Sequence, residues 1–443
     1  MSREMKHSGI EWIGKIPKEW NSCRLKGVAH SMTKGNGITK EEVFPDGDVS
    51  CVRYGEIYSK YNGSFKTCFS KTRKDILPIV RYFDYGDILF AGTGELVEEI
   101  GKNIVYLGES SCLAGGDIII LKHGQNPIFL NYALNSHYIQ SQKSCGKAKL
   151  KVVHISSSEI GDIKVVLPPL SEQQKIADFL DKLCGEVDEM IALQEQMIEE
   201  LKAYRQSVIT EAVTKGLYPE APMKDSGINR IGNIPEEWQV VKMNHICSVI
   251  TDFVASGSFE SLRINVPYLD SPDYAMLVRT VDLSGNSRSS SKVYISMHSY
   301  NFLHNSNLFG GEIVLPNIGA SVGDVYIVPK LYERMSLAPN AIMFKTTLCD
   351  KYYFYFFCST VGKESIYDIS QSTAQAKFNK TELREIRVLA PPLSEQQAIA
   401  SFLDGKCAEI NSLIVIKQQK IEELKEYKKS IIYEYVTGKK EVV

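Results

Sequence analysis

Hydrophobic residues recur at alternating steps of four and three in two long stretches of the chain. In the first they fall at Ile176, Leu180, Leu183, Val187, Met190, Met197, Leu201 and Val208, with Gln194 and Tyr204 in the same register. In the second they fall at Ile399, Leu403, Ile410, Leu413, Leu424, Tyr427 and Ile431. A period near 3.5 residues predicts helices that pair along a coiled-coil seam. Lys406, Lys417 and Lys420 interrupt the second seam, so its apolar stripe is expected to drift toward Ile414 and Ile421. Each stretch opens with Pro-Pro, which cannot lie inside a helix, followed by a serine (Ser171, Ser394) suited to cap one. At about 1.5 Å per residue each helix would run on the order of 65–70 Å, too long for the core of one small domain. On this pattern alone, a generic spacer would serve as well as any other reading.

The two stretches are copies of one another. PPLSEQQKIADFLD starts at Pro168 and PPLSEQQAIASFLD at Pro391, a gapless offset of 391 − 168 = 223. A second repeat stands upstream of each, SGIEWIGKIPKEW from Ser8 to Trp20 and SGINRIGNIPEEW from Ser226 to Trp238. Both read as extended arms whose tryptophans pack where the chain enters a domain. The order is therefore arm, globular part, helix, twice over, and the end of the second helix could be joined to the first arm. The expected packing is two antiparallel helices with a globular domain at each end, like a two-fold dimer fused into one chain.

The globular parts alternate short apolar runs with glycine-rich turns. Strands are predicted at 86–90 and 101–106, and again at 311–315 and 323–328, with others at 49–57, 117–121, 275–281 and 341–344. Short helices fit 129–142 and 351–359. The fold class is α+β: β-rich mixed domains over 1–167 and 217–390, and helical spacers over 168–216 and 391–443.

Composition narrows the class. An apolar content of 44% is enough to build real cores. No run of eighteen apolar residues offers a membrane span, and the N-terminus lacks the apolar core of a signal peptide. Ten scattered cysteines with no C-x-x-C pair point to reduced thiols in the cytoplasm, and no metal site is expected. The net charge of −2 is unevenly spread. Basic residues exceed acidic ones by 4 over 1–167, acidic exceed basic by 5 over 168–216, and the rest is near balance. A DNA-binding face is thus permitted but not demanded.

No catalytic constellation holds. Gly92-Thr93-Gly94 lacks the third glycine of a dinucleotide loop, because Val97 stands there, and Gly101-Lys102 lacks the upstream glycine of a phosphate loop, because Leu96 does. There is no H-E-x-x-H, no G-x-S-x-G, and no Asn/Asp-Pro-Pro-aromatic motif of amino-methyltransferases. His154, close to Lys147, Lys149 and Lys151, reads as a structural or phosphate-contacting residue rather than a catalyst.

Over essentially its whole length the chain closely resembles the specificity subunit of Type I restriction–modification systems. The most specific marks are PPLSEQQ-x-IA-x-FLD, present twice, each followed by a long helix and preceded by a divergent globular domain. GDILFAGTGELVEEIGKNIVY and the AGGDIII after it also look like one class of target recognition domain. The resemblance implies a non-catalytic, DNA-binding subunit in which each globular domain reads half of a split DNA site. The helices would set the spacing and dock two methyltransferase (M) subunits. S-adenosylmethionine would lie on those M subunits, with ATP and Mg on restriction/translocase (R) subunits, and together they would direct adenine methylation and restriction. Two other readings stay open: a DNA-free interaction scaffold, and the separately encoded recognition half of a fused restriction–methylation enzyme.

Candidate DNA contacts follow from side-chain chemistry, since Arg and Lys reach guanine edges or phosphates and Asn and Gln can pair with adenine. In the first domain they are Arg53, Tyr54, Tyr58, Lys60, Tyr61, Thr93, Glu95, Lys147, Lys149 and Lys151. In the second they are Arg279, Arg288, Lys292, Asn317, Ser321, Gln371, Gln375 and Lys377.

Overall fold

The structure, a computed structural model, describes residues 3–77, 80–147, 152–284, 291–370 and 375–442. Contacts divide the chain into two units, Met1–Glu195 with Gln418–Val443, and Gln196–Lys417. Each unit therefore holds one globular domain and a part of both long helices.

In the first unit a five-stranded sheet runs in the order Ala29–Lys34, Ile118–His123, Ile88–Ala91, Asn103–Tyr106, Ser64–Phe65. Its central strands read ILFA and IIIL because both faces are covered. Ile88, Phe90, Ile119 and Leu121 face a core shared with Phe129, Leu130 and Ile139, while Leu89, Ala91, Ile118 and Ile120 face Phe83, Tyr106 and Cys112. Phe83 and Cys112 come from a second sheet, ordered Ser70–Thr72, Val49–Val52, Cys112–Ala114, Tyr82–Phe83.

The second unit repeats the plan. Cys247–Asp252, Ala341–Thr346, Ile313–Pro316 and Tyr326–Ile327 form one sheet, and Tyr294–Ile295, Ala275–Val278, Met335–Leu337 and Asn307–Leu308 the other. Ile313, Leu315, Ile342 and Phe344 pack toward the helices, while Val314 and Met343 pack toward Met276, Val278 and Leu337.

The segments expected to be strands at 49–57 and 275–281 end early. Each strand stops before an arginine, and a short helix follows at once, Tyr54–Ser59 and Thr280–Leu283. The helix expected over 129–142 is two helices, Pro127–Asn135 and His137–Ser144, broken at Ser136.

The long helices span Leu170–Lys215 and Leu393–Val436. Ser171 and Ser394 lie within the first turn rather than capping it; the carbonyls of Pro169 and Pro392 accept the first helical hydrogen bonds. The motif has other work for its polar residues. The Trp20 indole, fully buried, donates to Glu172 Oε2 at 3.1 Å, and the Trp238 indole donates to Glu395 Oε2 at 2.8 Å. Buried Gln173 donates to the Pro168 carbonyl and accepts from the Asn126 N–H, both at 2.9 Å. Gln396 does the same with the Pro391 carbonyl at 2.8 Å and the Cys349 N–H at 3.2 Å. Glutamate and glutamine thus bolt the arm and a domain helix to the start of each long helix.

In the first long helix Ile176, Leu180 and Val187 of the expected seam are buried, and beyond them the buried stripe drifts to Ile198 and Ile209, an eleven-residue step of 3.67 residues per turn. In the second the expected Ile399, Leu403, Ile410, Leu424 and Ile431 are buried. Ile414 and Ile421 are buried as the lysine interruptions predict, whereas Met190, Tyr204, Leu413 and Tyr427 are exposed. Within each unit the helix segments are antiparallel. In the first, Phe179 stacks on Tyr435 and Lys428 pairs with Asp188 at 2.6 Å; in the second, Arg205 bonds Asn411 at 2.6 Å.

The helix ends close onto the arms. Lys439 Nζ donates to the carbonyls of Ile13 and Lys15 at 2.6 Å, and Lys215 Nζ donates to those of Ile231 and Asn233. Gly438 and Gly216 follow the helices with φ of 68° and 77°, and a Cβ there would lie 3.3 Å from the buried indoles of Trp20 and Trp238. Only glycine fits both the turn and the contact.

Candidate nucleic-acid interface

In the first domain the strand Val49–Val52 delivers Arg53 to the N-cap of the helix Tyr54–Ser59. Arg53 N–H donates to Glu56 Oε2 at 2.9 Å, and its guanidinium Nη2 donates to Glu56 Oε1 at 3.3 Å. The turn Gly115-Gly116-Asp117 lies alongside, because Gly115 N–H bonds the Val52 carbonyl at 2.8 Å and Gly92 N–H bonds the Asp117 carbonyl at 2.7 Å. Thr93 is brought to the same edge. Its strand Thr93–Gly94 pairs with Val153–His154, and Thr93 Oγ1 lies 3.1 Å from His154 Nδ1.

A groove of about 710 Å³ runs along this edge between Lys40, Arg53, Tyr54, Lys60 and Asp117. A smaller one of about 220 Å³ continues past Asp117 to Lys34, Thr93 and His154. Sequence reasoning did not single out Lys34, Lys40 and Asp117, because their neighbourhood exists only once the strands are paired.

The other candidates of this domain differ in what they can offer. Tyr54, Lys60 and Glu95 are exposed. Tyr58 donates to the Thr93 carbonyl at 3.2 Å, and burial pushes its phenol up to about 12, so it supports the loop as a neutral donor. Tyr61 is a core residue whose hydroxyl accepts from Phe69 N–H at 2.8 Å, which leaves it no surface for a DNA contact. Lys147 is half-hidden and bonded to Glu159 at 2.5 Å; that bond and those from Ser156 hold the Glu159 carboxyl down near 2. Lys149 and Lys151 lie outside the described residues.

The second domain builds the same edge from different residues. Ala275–Val278 delivers Arg279 to the N-cap of Thr280–Leu283, where its N–H, Nε and Nη2 donate to the Asp282 carboxylate at 2.9–3.0 Å. Ala338 N–H bonds the Val278 carbonyl at 2.9 Å, and Asn317 N–H bonds the Asn340 carbonyl at 3.1 Å. Ile318 pairs with Lys377 as Thr93 pairs with His154. Gly319 N–H bonds the Ala376 carbonyl, which sets Gln375 beside Gly319. Asn317 donates to the Phe378 carbonyl at 2.9 Å, and its buried Oδ1 has no partner. Lys292 and Lys377 are exposed and Ser321 is half-buried on the loop after Gly319. Arg288 and Gln371 lie outside the described residues.

Behind the first domain's edge lies a buried lysine. Lys143 Nζ donates to Asn103 Oδ1 and the Leu134 carbonyl at 2.8 Å and sits 5.5 Å from the centre of the Phe90 ring, with no carboxylate among these partners. Burial pushes its ammonium down to about 7. In the unfolded chain it titrates near 10.4, so between about pH 7 and pH 10.4 the unfolded chain holds a proton the folded one has released. Stability should therefore rise with pH across that window, by up to about 1.4 kcal/mol per unit, and be pH-independent for this group below it. Thermal unfolding of the chain and its Lys143→Met variant checks this: the difference between them should change above pH 7 and be flat below.

Two β-rich domains, each with an arginine-capped edge and each bolted to a long helix by the same Glu-Gln pair, define a module that occurs twice in the chain. The family model for the Type I restriction modification DNA specificity domain matches residues 17–203 and again 235–426, and the chain belongs to that family. It is a Type I restriction–modification specificity subunit with two tandem target recognition domains. The chain is 25% identical to the type I restriction enzyme MjaVIII specificity subunit of Methanocaldococcus jannaschii, over 96% of this chain and 94% of that one. It is 21% identical to the EcoKI specificity subunit of Escherichia coli K12, over 87% and 82%. A solved chain from work on complex assembly and conformational transition of the type I R-M system shares the fold, with a TM-score of 0.72 at 17% identity, covering 96% of this chain and 99% of that one. The HsdS subunit from Thermoanaerobacter tengcongensis aligns with a TM-score of 0.53 at 16% identity, over 96% and 98%. No helix among the described residues is long and apolar enough to cross a membrane.

Proposed function

We propose that each globular domain reads one half of a bipartite double-stranded DNA site, the first through residues within 1–167 and the second through residues within 217–390. The observation that carries this reading is the equivalence of the two edges: the same strand ends, turn and capping arginine recur, while the side chains around them differ. Two readers of one design with different surfaces suit two different half-sites. The long helices then set the distance between half-sites and, with neighbouring domain surface, dock two M subunits. The methyl donor S-adenosylmethionine belongs to those M subunits, and ATP with Mg to R subunits that join them in the cytoplasm. The chain itself is non-catalytic, and its part is to choose where methylation and restriction act.

The test is reconstitution. The chain alone should leave DNA unmethylated, and with its M subunit it should form a complex of one chain and two M subunits that methylates adenine at one bipartite motif. A one-to-one complex at saturating M subunit, or methylation by the chain alone, would overturn the reading.

A further inference from the structure

Each domain forms a groove against the same turn of its edge, and the two grooves differ in chemistry. In the first domain the groove lies between the turn Gly115-Gly116-Asp117 and the segment 35–48 that links Ala29–Lys34 to Val49–Val52, and Lys40, Arg53 and Lys60 line it. In the second domain Ala338-Pro339-Asn340 is the counterpart of that turn. Each turn follows the strand that runs parallel to the one ending at the capping arginine. Each also bonds back to that neighbour, Gly115 N–H to the Val52 carbonyl and Ala338 N–H to the Val278 carbonyl. The linking segment 253–274 is the counterpart of 35–48, since Cys247–Asp252 pairs with Ala341–Thr346 as Ala29–Lys34 pairs with Ile118–His123. Between Pro339 and this segment lies a groove of about 580 Å³.

The second groove is apolar. Phe253, Leu262 and Val266 are buried at its base, where they join a core with Ala275 and Leu277. Phe259 and Tyr268 stand at its rim, 79% and 54% exposed. Pro339, on the side of the turn, has no N–H to offer. Among the described residues, Arg263 and Tyr268 are the lining side chains that carry polar atoms. The helix Phe259–Asn265 is seated through Leu262, so the exposed Phe259 ring adds little to the fold. Basic residues exceed acidic ones by 4 over 1–167, whereas 217–390 is near balance. The second domain therefore has the weaker charge-based hold on phosphates, and an apolar contact at its edge adds attraction that does not depend on charge.

In the major groove of duplex DNA the apolar group on offer is the 5-methyl of thymine. The edges of adenine, guanine and cytosine present donors and acceptors there, which an apolar surface would strip of water without pairing them. Resting on the reading that this domain recognises a half-site, we propose that the groove rimmed by Phe259 and Tyr268 is a specificity-determining site that takes the 5-methyl group of a thymine in the second half-site. Arg263, exposed on the same helix, meets the backbone beside it. The first domain places cations against the equivalent turn and makes no such contact there.

The experiment measures binding of the methyltransferase, assembled from the full chain and its M subunit, to duplexes that carry its own methylated motif. Thymidines of the second half-site are replaced one at a time, on either strand, by deoxyuridine, which lacks only the methyl group. At one thymine the replacement should weaken binding about 3- to 5-fold. Phe259→Ala should weaken binding to the thymidine duplex by at least as much and abolish the difference between thymidine and deoxyuridine at that position. Its response to deoxyuridine in the first half-site should match that of the wild type. Should Phe259→Ala fail to fold, Tyr268→Ala decides in its place by the same loss at the same position. A second half-site without an A·T pair, or one indifferent to deoxyuridine throughout, would overturn the proposal. So would a Phe259→Ala complex that keeps its sensitivity to the methyl group, or one that loses an M subunit by mass, since the groove would then dock protein. Absence of any bipartite motif from the wild-type complex would instead refute the half-site reading on which the proposal rests.

Discussion

Exchange of residues 1–167 for the equivalent domain of another specificity subunit is expected to change one half of the methylated motif completely and leave the other half untouched. The expectation rests on how each domain is closed. In the first unit the five-stranded sheet is covered on both faces, by a core shared with the helices Pro127–Asn135 and His137–Ser144 on one side and by a core shared with the second sheet on the other. Among the described residues, its edge residues Arg53, Thr93 and His154 bond to partners of the same domain. The strands that begin and end the globular part, Asn21–Arg24 and Lys164–Leu167, pair with each other at its neck.

The exchange will succeed only where the incoming domain respects a specific set of contacts. The core at the neck takes in Ile176, Ala177 and Leu180 from the first long helix and Ile431 and Val436 from the second. The incoming arm must supply a tryptophan for Glu172, and the incoming helix a backbone N–H for Gln173. Trp20 is fully buried, so an arm lacking it should lose about 3–5 kcal/mol and with it the seating of the domain. Sequencing of methylated bases in cells carrying the chimera is the measurement. A chimera that methylates well but alters both halves of its motif would show that the domains do not read independently.

Much of this architecture was legible before the strands were paired. The gapless offset between the two PPLSEQQ segments announces duplicated helices, and Pro-Pro marks their starts. Lys406, Lys417 and Lys420 predict where the apolar stripe of the second helix moves, and Ile414 and Ile421 are buried there. What the seam period hid is its drift. Over a few turns, steps of four and three fit seven and eleven equally well, and only burial of Ile176, Val187, Ile198 and Ile209 separates them. The edges were harder. Val52-Arg53 and Val278-Arg279 continue an apolar, β-prone run, so the strand was expected to pass through them. The stop signal is the acid three residues later, the mark of a helix N-terminus, with arginine in the place usually taken by serine or aspartate. Tyr61 shows the opposite error: an aromatic beside Lys60 suggests a stacking surface, yet Phe65 and Phe69 enclose it. The grouping of Lys34, Lys40, Asp117 and His154 depends on pairing between distant strands and leaves no local signal.

Four residues inserted in both long helices, beside Gln194 in the first and beside Gln419 in the second, are expected to lengthen the gap between half-sites by one or two base pairs. The insertions are paired so that both helices gain the same length. Asp188 meets Lys428 within the first unit and Arg205 meets Asn411 within the second, and seventeen residues separate these positions along each helix (188 to 205, 411 to 428). Gln194 and Gln419 are polar, so local disturbance there removes little apolar burial. Four residues add about 6 Å along a helix, and DNA rises about 3.4 Å per base pair. They also turn the helix by about 400°, within roughly 40° of the starting face, so Val187 and Ile209 on either side stay near register. A two-residue pair adds about 3 Å but turns the stripe by about 200° and sends it to solvent, and should abolish assembly. The readout is the methylated motif of each variant complex with its M subunit. An active four-residue variant that keeps the original gap would show that the helices hold the domains without measuring the DNA.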